Sequence, residues 1–577
     1  MLFRSTFLKR SKEIQGLRAL AVSLVLLFHA GWLPGGYIGV DVFYVISGYL
    51  ITSLIIQEQN FTFRNFYARR AKRLLPMAFM VLLVTAISFW IFAPSTSRLQ
   101  FSKDLIASTW YVSNYLYAHW QNDYQNLGAT PSPLIHYWSL AVEEQFYLIW
   151  PLVLILFRSK RKKMVVWITL VSFIFSVYSI KSSPIFAFYA LPTRAFELGI
   201  GALIALHPIR AKLIWPGLIM ILTGSILFDS QTAFPGWPAL VPTIGTALTL
   251  ISLKNNFFLS NRIVGKIGDW SYSIYLWHWP LLTIPALYLQ RELGDKEKAL
   301  LLIICVWLSA ISYRYLENPI RKTSFSNQKI FAGVLVGGIM LTSTAIAIGA
   351  TNKELSYNLD KPIIYANGCH QGYSGFELKP DCIFGDTSAT KAIALFGDSH
   401  AAQWFPALNI WAKQSGFKLY TFTKSSCPAL AVPMKDNGAF KAENCRKFRD
   451  AALKQIQNIK PKLVILGNFE HYKVSAAQYV NAEKFDFPYL LIRDTPWPNR
   501  DLPACISTKA NCDTPLPPKI PYKSKNIFDP VPLLCTTKCP ALVDGLLAYR
   551  DQTHITVAMA EYLGMALGQK LDSLVAG

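Results

Sequence analysis

Apolar residues run in long stretches through the first 350 positions and in short stretches after that. A bilayer core takes about 20 apolar residues per helix. Eleven stretches approach that length: 15–33, 37–57, 76–93, 138–157, 164–180, 187–206, 213–229, 237–253, 270–289, 299–316 and 330–350. They predict a multi-pass α-helical domain of about ten spans plus one linking span. The stretch 104–120 is shorter and mixed, the pattern of a re-entrant or interfacial segment.

Beyond position 350 the pattern changes to α/β. Residues 392–396 (Ala-Ile-Ala-Leu-Phe) form a short apolar run that ends in a turn, followed by a helical pattern to Trp411. Residues 463–466 and 489–492 are further buried-strand candidates. Apolar strands alternating with helical stretches predict a parallel sheet in an α/β/α sandwich. Segments 351–390 and 495–540, rich in Pro, Cys, Lys and Asn, are expected as disulfide-tied loops outside that sheet. The domain reading is therefore 1–325 membrane domain, 326–390 linking helix and linker, and 391–577 soluble domain. No internal repeat is visible.

Composition sharpens this division. Half of the 577 residues are apolar and 16% are charged, too few charges for one soluble enzyme of this size. The net charge is +23, yet residues 351–577 hold 26 Lys+Arg against 20 Asp+Glu. The excess therefore lies in short clusters between apolar runs, which is a topology signal rather than a groove for nucleic acid. With the N-terminus in the cytoplasm, inner loops hold about 22 Lys+Arg and outer loops about six. An odd number of spans then puts the C-terminal half outside. Residues 1–15 are polar and basic, so the first span reads as a signal anchor.

Eight of the nine cysteines (Cys369, Cys382, Cys427, Cys445, Cys505, Cys512, Cys535 and Cys539) fall after position 350. An even number confined to one half suits disulfides in an oxidising compartment, with near-neighbour pairing the simplest arrangement. Zinc is the alternative, but Cys535 and Cys539 lack a second ligand pair of similar spacing. No metal is expected.

Arg18 and His29 are eleven residues apart. Three helical turns take about 10.8 residues, so both project from one helix face, about 16 Å apart along the axis. Intramembrane ionisable groups are costly and tend to line polar paths. Arg holds phosphates, and His moves protons near neutral pH. A snorkelling Arg18 and a structural His29 are the bland alternative. Asp41, Glu143, Glu144, Arg194, Glu197 and His278 add polar groups to other spans, as a shared cavity or as internal salt bridges. Arg69, Arg70 and Arg73 are topology signals that also suit the phosphates of a nucleotide-like donor.

In the soluble half, Gly397-Asp398-Ser399-His400 follows a strand and opens a helix. That placement exposes a nucleophile and turns backbone N–H groups toward an oxyanion. Asn468 ends a later strand, where its amide is placed to donate to the same oxyanion. Asp551-Gln552-Thr553-His554 supplies a base, His554, and the acid that fixes its tautomer, Asp551.

The first 325 or so residues resemble the acyltransferase-3 family. The resemblance rests on Arg18-x10-His29, Gly35-Gly36-Tyr37-Ile38-Gly39-Val40-Asp41, Tyr67-Ala68-Arg69-Arg70-Ala71-Lys72-Arg73, Trp138-Ser139-Leu140-Ala141-Val142-Glu143-Glu144-Gln145, Tyr275-Leu276-Trp277-His278-Trp279-Pro280 and Leu316-Glu317-Asn318-Pro319. The soluble half looks like an SGNH hydrolase-type domain whose serine, asparagine and Asp-x-x-His blocks are present. The second block, normally a glycine, falls near Ser425-Ser426-Cys427-Pro428. The fusion resembles bacterial O-acetyltransferases that modify lipopolysaccharide O-antigen.

The resemblance implies acetyl-CoA as a cytoplasmic donor and no permanently bound cofactor. Arg18, Arg69, Arg70 and Arg73 would meet the donor's phosphates, and His29 would assist acyl transfer. Asp41, Glu143, Glu144 and His278 are the further cavity candidates. The acyl group would reach Ser399 and then a hydroxyl of a lipid-linked or surface glycan. It further implies a multi-pass protein of the bacterial inner membrane, among membrane lipids, with a periplasmic C-terminal domain. The alternatives are a peptidoglycan O-acetyltransferase and a transporter with an accessory glycan esterase or binding domain.

Overall fold

The computed structural model describes residues 11–119, 131–209, 211–229, 232–252, 259–289, 291–352, 357–373, 375–434, 440–470, 485–498, 500–507, 511–517 and 526–576. The chain divides into two compact units, Met1–Ala93 with Ser97–Asn352, and Lys353–Gly577 with Pro94–Thr96.

The regular elements among the described residues of the first unit are helices: α1 (Lys12–His29), α2 (Gly39–Gln57), α3 (Phe63–Phe92), α4 (Arg98–Thr109), α5 (Ser113–His119), α6 (Tyr137–Leu156), α7 (Arg161–Ser182), α8 (Pro184–Tyr189), α9 (Leu191–Leu206), α10 (Ile214–Leu227), α11 (Leu240–Ile251), α12 (Arg262–Leu289), α13 (Asp295–Ser312), α14 (Asn318–Lys322) and α15 (Asn327–Ala350). Each of the eleven apolar stretches coincides with a helix. Among the described residues, seven helical segments are long and apolar enough to cross a membrane, and α10 and α11 are shorter apolar helices. The mixed stretch 104–120 resolves into α4 and α5, separated at Tyr111, whose φ is +54°.

Without a hydrophobic drive between helices in lipid, close packing by small residues decides which helices meet. At the start of α1 and α12, a side chain on Gly268 would fall on the carbonyl of Gln15, and one on Gly16 would fall on the backbone of Leu259. These contacts bring the two backbones together. Further along, His29 meets His278, so the two helices run parallel. This pairing sets the residues of α12 beside Arg18 and His29.

The second unit is a three-layer sandwich. Its main elements are α16 (Ile363–Ala366), β1 (His370–Gln371), β2 (Ile383–Gly385), β3 (Lys391–Gly397), α17 (Ser399–Ala402), α18 (Phe405–Ser415), β4 (Phe417–Lys424), α19 (Ala442–Ile459), β5 (Leu463–Gly467), β6 (Tyr489–Ile492), α20 (Leu502–Ser507), β7 (Ile527–Phe528), α21 (Val531–Leu534) and α22 (Val557–Val575). The sheet order is β1-β4-β3-β5-β6-β7, all parallel, with β2 antiparallel against β4. Ile393, Leu395, Leu463 and Ile465 pack on one face with residues of α18 and α22. Ala394, Phe396, Val464 and Leu466 pack on the other with residues of α19. Burial on both faces is why these strands read as continuous apolar runs rather than as alternation.

One expectation needs correcting. The segments expected to be loops outside the sheet contribute β1, β2 and β7 to it. β4 lay unrecognised in the sequence, because its polar residues interrupt the apolar run that marked its neighbours. Segment 326–390, expected as a linking helix and a linker, is shared between the two units. α15 belongs to the first unit, while β1 and β2 belong to the second. The cysteines pair with near neighbours: Cys369–Cys382, Cys427–Cys445, Cys505–Cys512 and Cys535–Cys539.

Candidate active sites

Within the first unit an open cleft is lined by Arg18 of α1, Ser47 of α2, Arg70 and Arg73 of α3, Ser139, Glu143 and Tyr147 of α6, and Ser271, Tyr272 and Tyr275 of α12. Three guanidinium groups face one carboxylate. Glu143 is held by hydrogen bonds from the Ser47 and Tyr147 hydroxyls. Arg70 lies over the Tyr147 ring, 5.2 Å from its centroid. A cluster with this excess of planar cations suits a polyanion such as a diphosphate.

The other candidates go elsewhere. Arg69 is half-exposed and pairs with Glu58 at 2.7 Å, so it does not line the cleft. Glu144 is not among the lining residues either. Asp41 is fully buried beside Arg194, 3.4 Å from its Nη2, and Glu197 lies 3.3 Å from Nη1. The Arg194 guanidinium sits among Tyr44, Trp138, Phe188 and Phe234, 5.3 to 5.8 Å from each ring. The reading of one cavity shared by all these groups is therefore corrected. Asp41 belongs to an internal ion cluster, and only Glu143 among the acidic candidates opens to the cleft.

His29 stands at the other end of α1 from Arg18. Its Nδ1 lies 2.9 Å from Nε2 of His278, and the Trp279 ring lies 4.5 Å from its own. Tyr275 connects the two regions. Its side chain lines the cleft and its hydroxyl meets Ser139 at 2.6 Å, while its backbone carbonyl lies 2.6 Å from Nδ1 of His278.

In the second unit, parallel register aligns Gly397 at the end of β3 with Gly467 at the end of β5. Ser399 and Asn468 therefore leave the sheet at the same edge. Gly397 has φ +149°, and a side chain there would fall on the Gly467 carbonyl. The crevice at this edge is where the chain turns to β4 on one side and β5 on the other, the usual ligand position in open parallel sheets. Asp398 anchors the nucleophile turn, accepting N–H bonds from His400 and Phe469, each at 2.8 Å. Half-buried Ser399 begins α17.

The Asp-x-x-His turn brings its acid and its imidazole together. His554 Nδ1 lies 3.0 Å from both oxygens of Asp551. His554 Nε2 is buried and has no hydrogen-bond partner among the described residues. Asn468 is held at its oxygen by the Ala429 N–H at 2.7 Å. Its amide nitrogen is also buried without a partner there. A base lone pair on His554 and an amide donor on Asn468 thus have no partner among the described residues, and acyl transfer uses groups of both kinds. Ser426, in the segment that stands for the glycine block, takes φ +54°, so a serine holds the left-handed turn.

Burial pulls the His554 pKa below its ordinary value, against the raising effect of Asp551. The ring is neutral at pH 7 and ready to accept a proton. Asp551 is lowered because its hydrogen bond and charge interaction with His554 and two backbone N–H groups outweigh its burial.

A second His–Asp pair was not foreseen. His400 Nδ1 lies 2.7 Å from Asp494 Oδ1, and the His400 ring lies 4.6 Å from that of His554. Burial lowers His400 to about 4 against the raising charges of Asp398 and Asp551, so this is a hydrogen bond from a neutral ring. His400 stood in view next to Ser399. Nothing in the sequence joins it to an aspartate that lies just beyond β6.

Two families of sequence match this chain. Residues 11–314 match an acyltransferase domain, and residues 368–511 match an SGNH domain of the kind fused to such membrane acyltransferases. The peptidoglycan O-acetyltransferase OatA of Listeria monocytogenes is 34% identical over 55% of this chain and 56% of its own length. The O-acetyltransferase OatA of Staphylococcus aureus is 32% identical over 54% and 57%. The chain thus matches about half the length of these curated relatives. The periplasmic domain of a lipopolysaccharide acetyltransferase from Salmonella Paratyphi A aligns over 36% of this chain and 93% of its own, with 16% identity and a TM-score of 0.28.

Proposed function

The chain belongs to the acyltransferase-3 family, and from that premise we propose that it is an O-acetyltransferase of a cell-envelope glycan. The observation that carries this reading is the pairing of two sites in one chain. One is an arginine-lined cleft in a helical membrane unit; the other is the His554–Asp551 pair in an SGNH unit whose Ser399 follows β3. Acetyl-CoA is the donor, its phosphates met by Arg18, Arg70 and Arg73. His29 assists transfer from the thioester. In the second unit His554 takes the proton of Ser399, and Asn468 with the N-terminus of α17 stabilises the tetrahedral oxyanion. The acetyl ester on Ser399 then passes to a sugar hydroxyl. The membrane is the bacterial inner membrane, with the second unit on the periplasmic side, where disulfides persist.

The acceptor has two readings. Lipopolysaccharide O-antigen follows from the resemblance of the fusion. Peptidoglycan is favoured by the names of the relatives that match about half of this chain. Mass spectrometry and NMR of both glycans, with and without the protein, decide between them. Purified protein that turns over acetyl-CoA supports an enzyme. Full glycan acetylation in Ser399→Ala cells at matched expression would remove the serine from the mechanism, and transport without turnover would replace the enzyme by a carrier.

A further inference from the structure

His29 and His278 share one hydrogen bond, 2.9 Å between Nδ1 of the first and Nε2 of the second. Its direction follows from the backbone. His278 Nδ1 lies 2.6 Å from the Tyr275 carbonyl, one turn earlier on α12. A carbonyl only accepts, so Nδ1 of His278 bears the proton, and in the neutral ring Nε2 bears the lone pair. The group facing that lone pair must donate, and it is His29 Nδ1. In its neutral ring His29 then carries its lone pair on Nε2.

A third ring, His136, does not compete. Its Nε2 lies 3.2 Å from the Leu276 carbonyl and donates to it. That carbonyl lacks its helical partner because the residue four positions on is Pro280, which has no N–H. The proline thus directs one histidine to the backbone and leaves His278 to His29.

We propose that His278 is a positioning residue that holds His29 in the tautomer with its lone pair on Nε2. The proposal rests on the acyl-transfer reading above. In that reaction the hydroxyl that receives the acetyl group directly from the thioester gives its proton to His29 Nε2 as its oxygen bonds to the thioester carbon. The carbon–sulfur bond breaks, and the departing sulfur takes the proton back. A thioester and an alcohol become an ester and a thiol, and the imidazole is regenerated. In the other tautomer Nε2 already carries a proton and the first step stops. In the soluble unit Asp551 orients His554 with a charge. Between α1 and α12 a neutral imidazole orients His29 without adding a charge inside the membrane unit, where charges are costly.

The test uses full-length protein and two variants. His278→Gln keeps an acceptor oxygen near the position of Nε2, and His278→Leu keeps none. His278→Leu is expected to lower kcat for acetyl-CoA turnover about 10²–10⁴-fold with KM within about threefold, and His278→Gln to recover at least about tenfold of that loss. Nitrogen-15 NMR of histidine-labelled protein, with the His29 signal identified by its loss in His29→Ala, reads the tautomer without any turnover. Wild type should show His29 protonated at Nδ1 and bare at Nε2. The reverse tautomer in wild type, an unchanged kcat in His278→Leu, or a His278→Gln as impaired as His278→Leu would each overturn the proposal. A wild type with the expected tautomer and no acetyl-CoA turnover would instead remove the acyl-transfer reading and leave the His278–His29 arrangement standing.

Discussion

Gln403 Oε1 accepts the backbone N–H of Ile555 at 3.0 Å, deep in the second unit. The bond joins the turn that begins at Ser399 to the residue after His554. Nucleophile and base are therefore registered by a contact that neither of them makes. Gln403→Leu would leave the Ile555 N–H buried without that partner, at a cost of about 1–3 kcal/mol. Faster hydrogen exchange in the peptide around 549–557, together with slower glycan acetylation, is the expected result. Unchanged exchange there would mean that the Arg550 bonds to the His554 and Ile555 carbonyls hold the turn alone.

Asn468 has two separable jobs, since its oxygen holds the Ala429 N–H while its nitrogen is unspent. Asn468→Asp keeps the acceptor and removes the donor. Glycan acetylation by this variant should fall about 10²–10³-fold, the usual cost of one oxyanion donor. The protein level should stay normal, because the Ala429 bond survives. Asn468→Leu should lose both activity and protein. An active Asn468→Asp enzyme would assign the oxyanion to backbone groups alone.

Acid should loosen the second unit before it titrates the carboxylates. Burial, chiefly, pulls His370 down to about 3 and His400 to about 4, from an ordinary value near 6.5. The unfolded chain takes up protons near that ordinary value and the folded chain refuses them. Their contribution to stability is whole above about pH 6.5 and is lost as pH falls toward the folded values. For His400 this amounts to something on the order of 3 kcal/mol by pH 4. Asp551, lowered in the folded state, has the same sign but a lower window, below its ordinary value of about 3.9. Hydrogen exchange of second-unit peptides in the intact protein should rise between pH 6.5 and 4.5, and less so in His400→Asn. A flat profile in wild type would show that the folded histidines take up protons as readily as the unfolded chain does.

Much of this molecule was readable from local pattern. The eleven apolar stretches became helices because bilayer-length apolarity is a property of single segments. The strands flanking Ser399 and Asn468 showed as apolar runs because both their faces are buried. β4 did not, since Tyr420, Thr421, Thr423 and Lys424 interrupt its apolar run. Near-neighbour cysteine pairing was legible for the same local reason as the helices. Asp551 and His554 were found together by their spacing within one turn. The partners found only in three dimensions are separated in sequence. His400 meets Asp494, His29 meets His278, and Asp41 meets Arg194. Both members of the last two pairs were noted singly, and the packing that chose each partner was not legible. The corrected role of Asp41 has this origin. An acid in a membrane helix signals a polar neighbour, but not whether that neighbour is a cleft or an arginine.

Arg69, Arg70 and Arg73 were grouped by sequence, and the cleft separates them. Arg69 points to Glu58 at the surface, in a half-exposed pair worth about 0–1 kcal/mol. Arg70 and Arg73 line the cleft with Arg18. If the cleft takes the phosphates of acetyl-CoA, Arg70→Gln and Arg73→Gln should each raise the KM for acetyl-CoA about tenfold or more, since a charge-assisted phosphate contact contributes about 1.5–3 kcal/mol. Arg69→Gln should leave that KM within about twofold. Lysine should rescue Arg73 better than Arg70, because Arg70 also lies flat over the Tyr147 ring and lysine cannot reproduce that plane. The measurement is the acetyl-CoA dependence of coenzyme A release by the full-length protein. Equal effects at Arg69 and Arg70 would mean that the positive charge of the α3 segment acts as a whole and that the cleft does not select the donor.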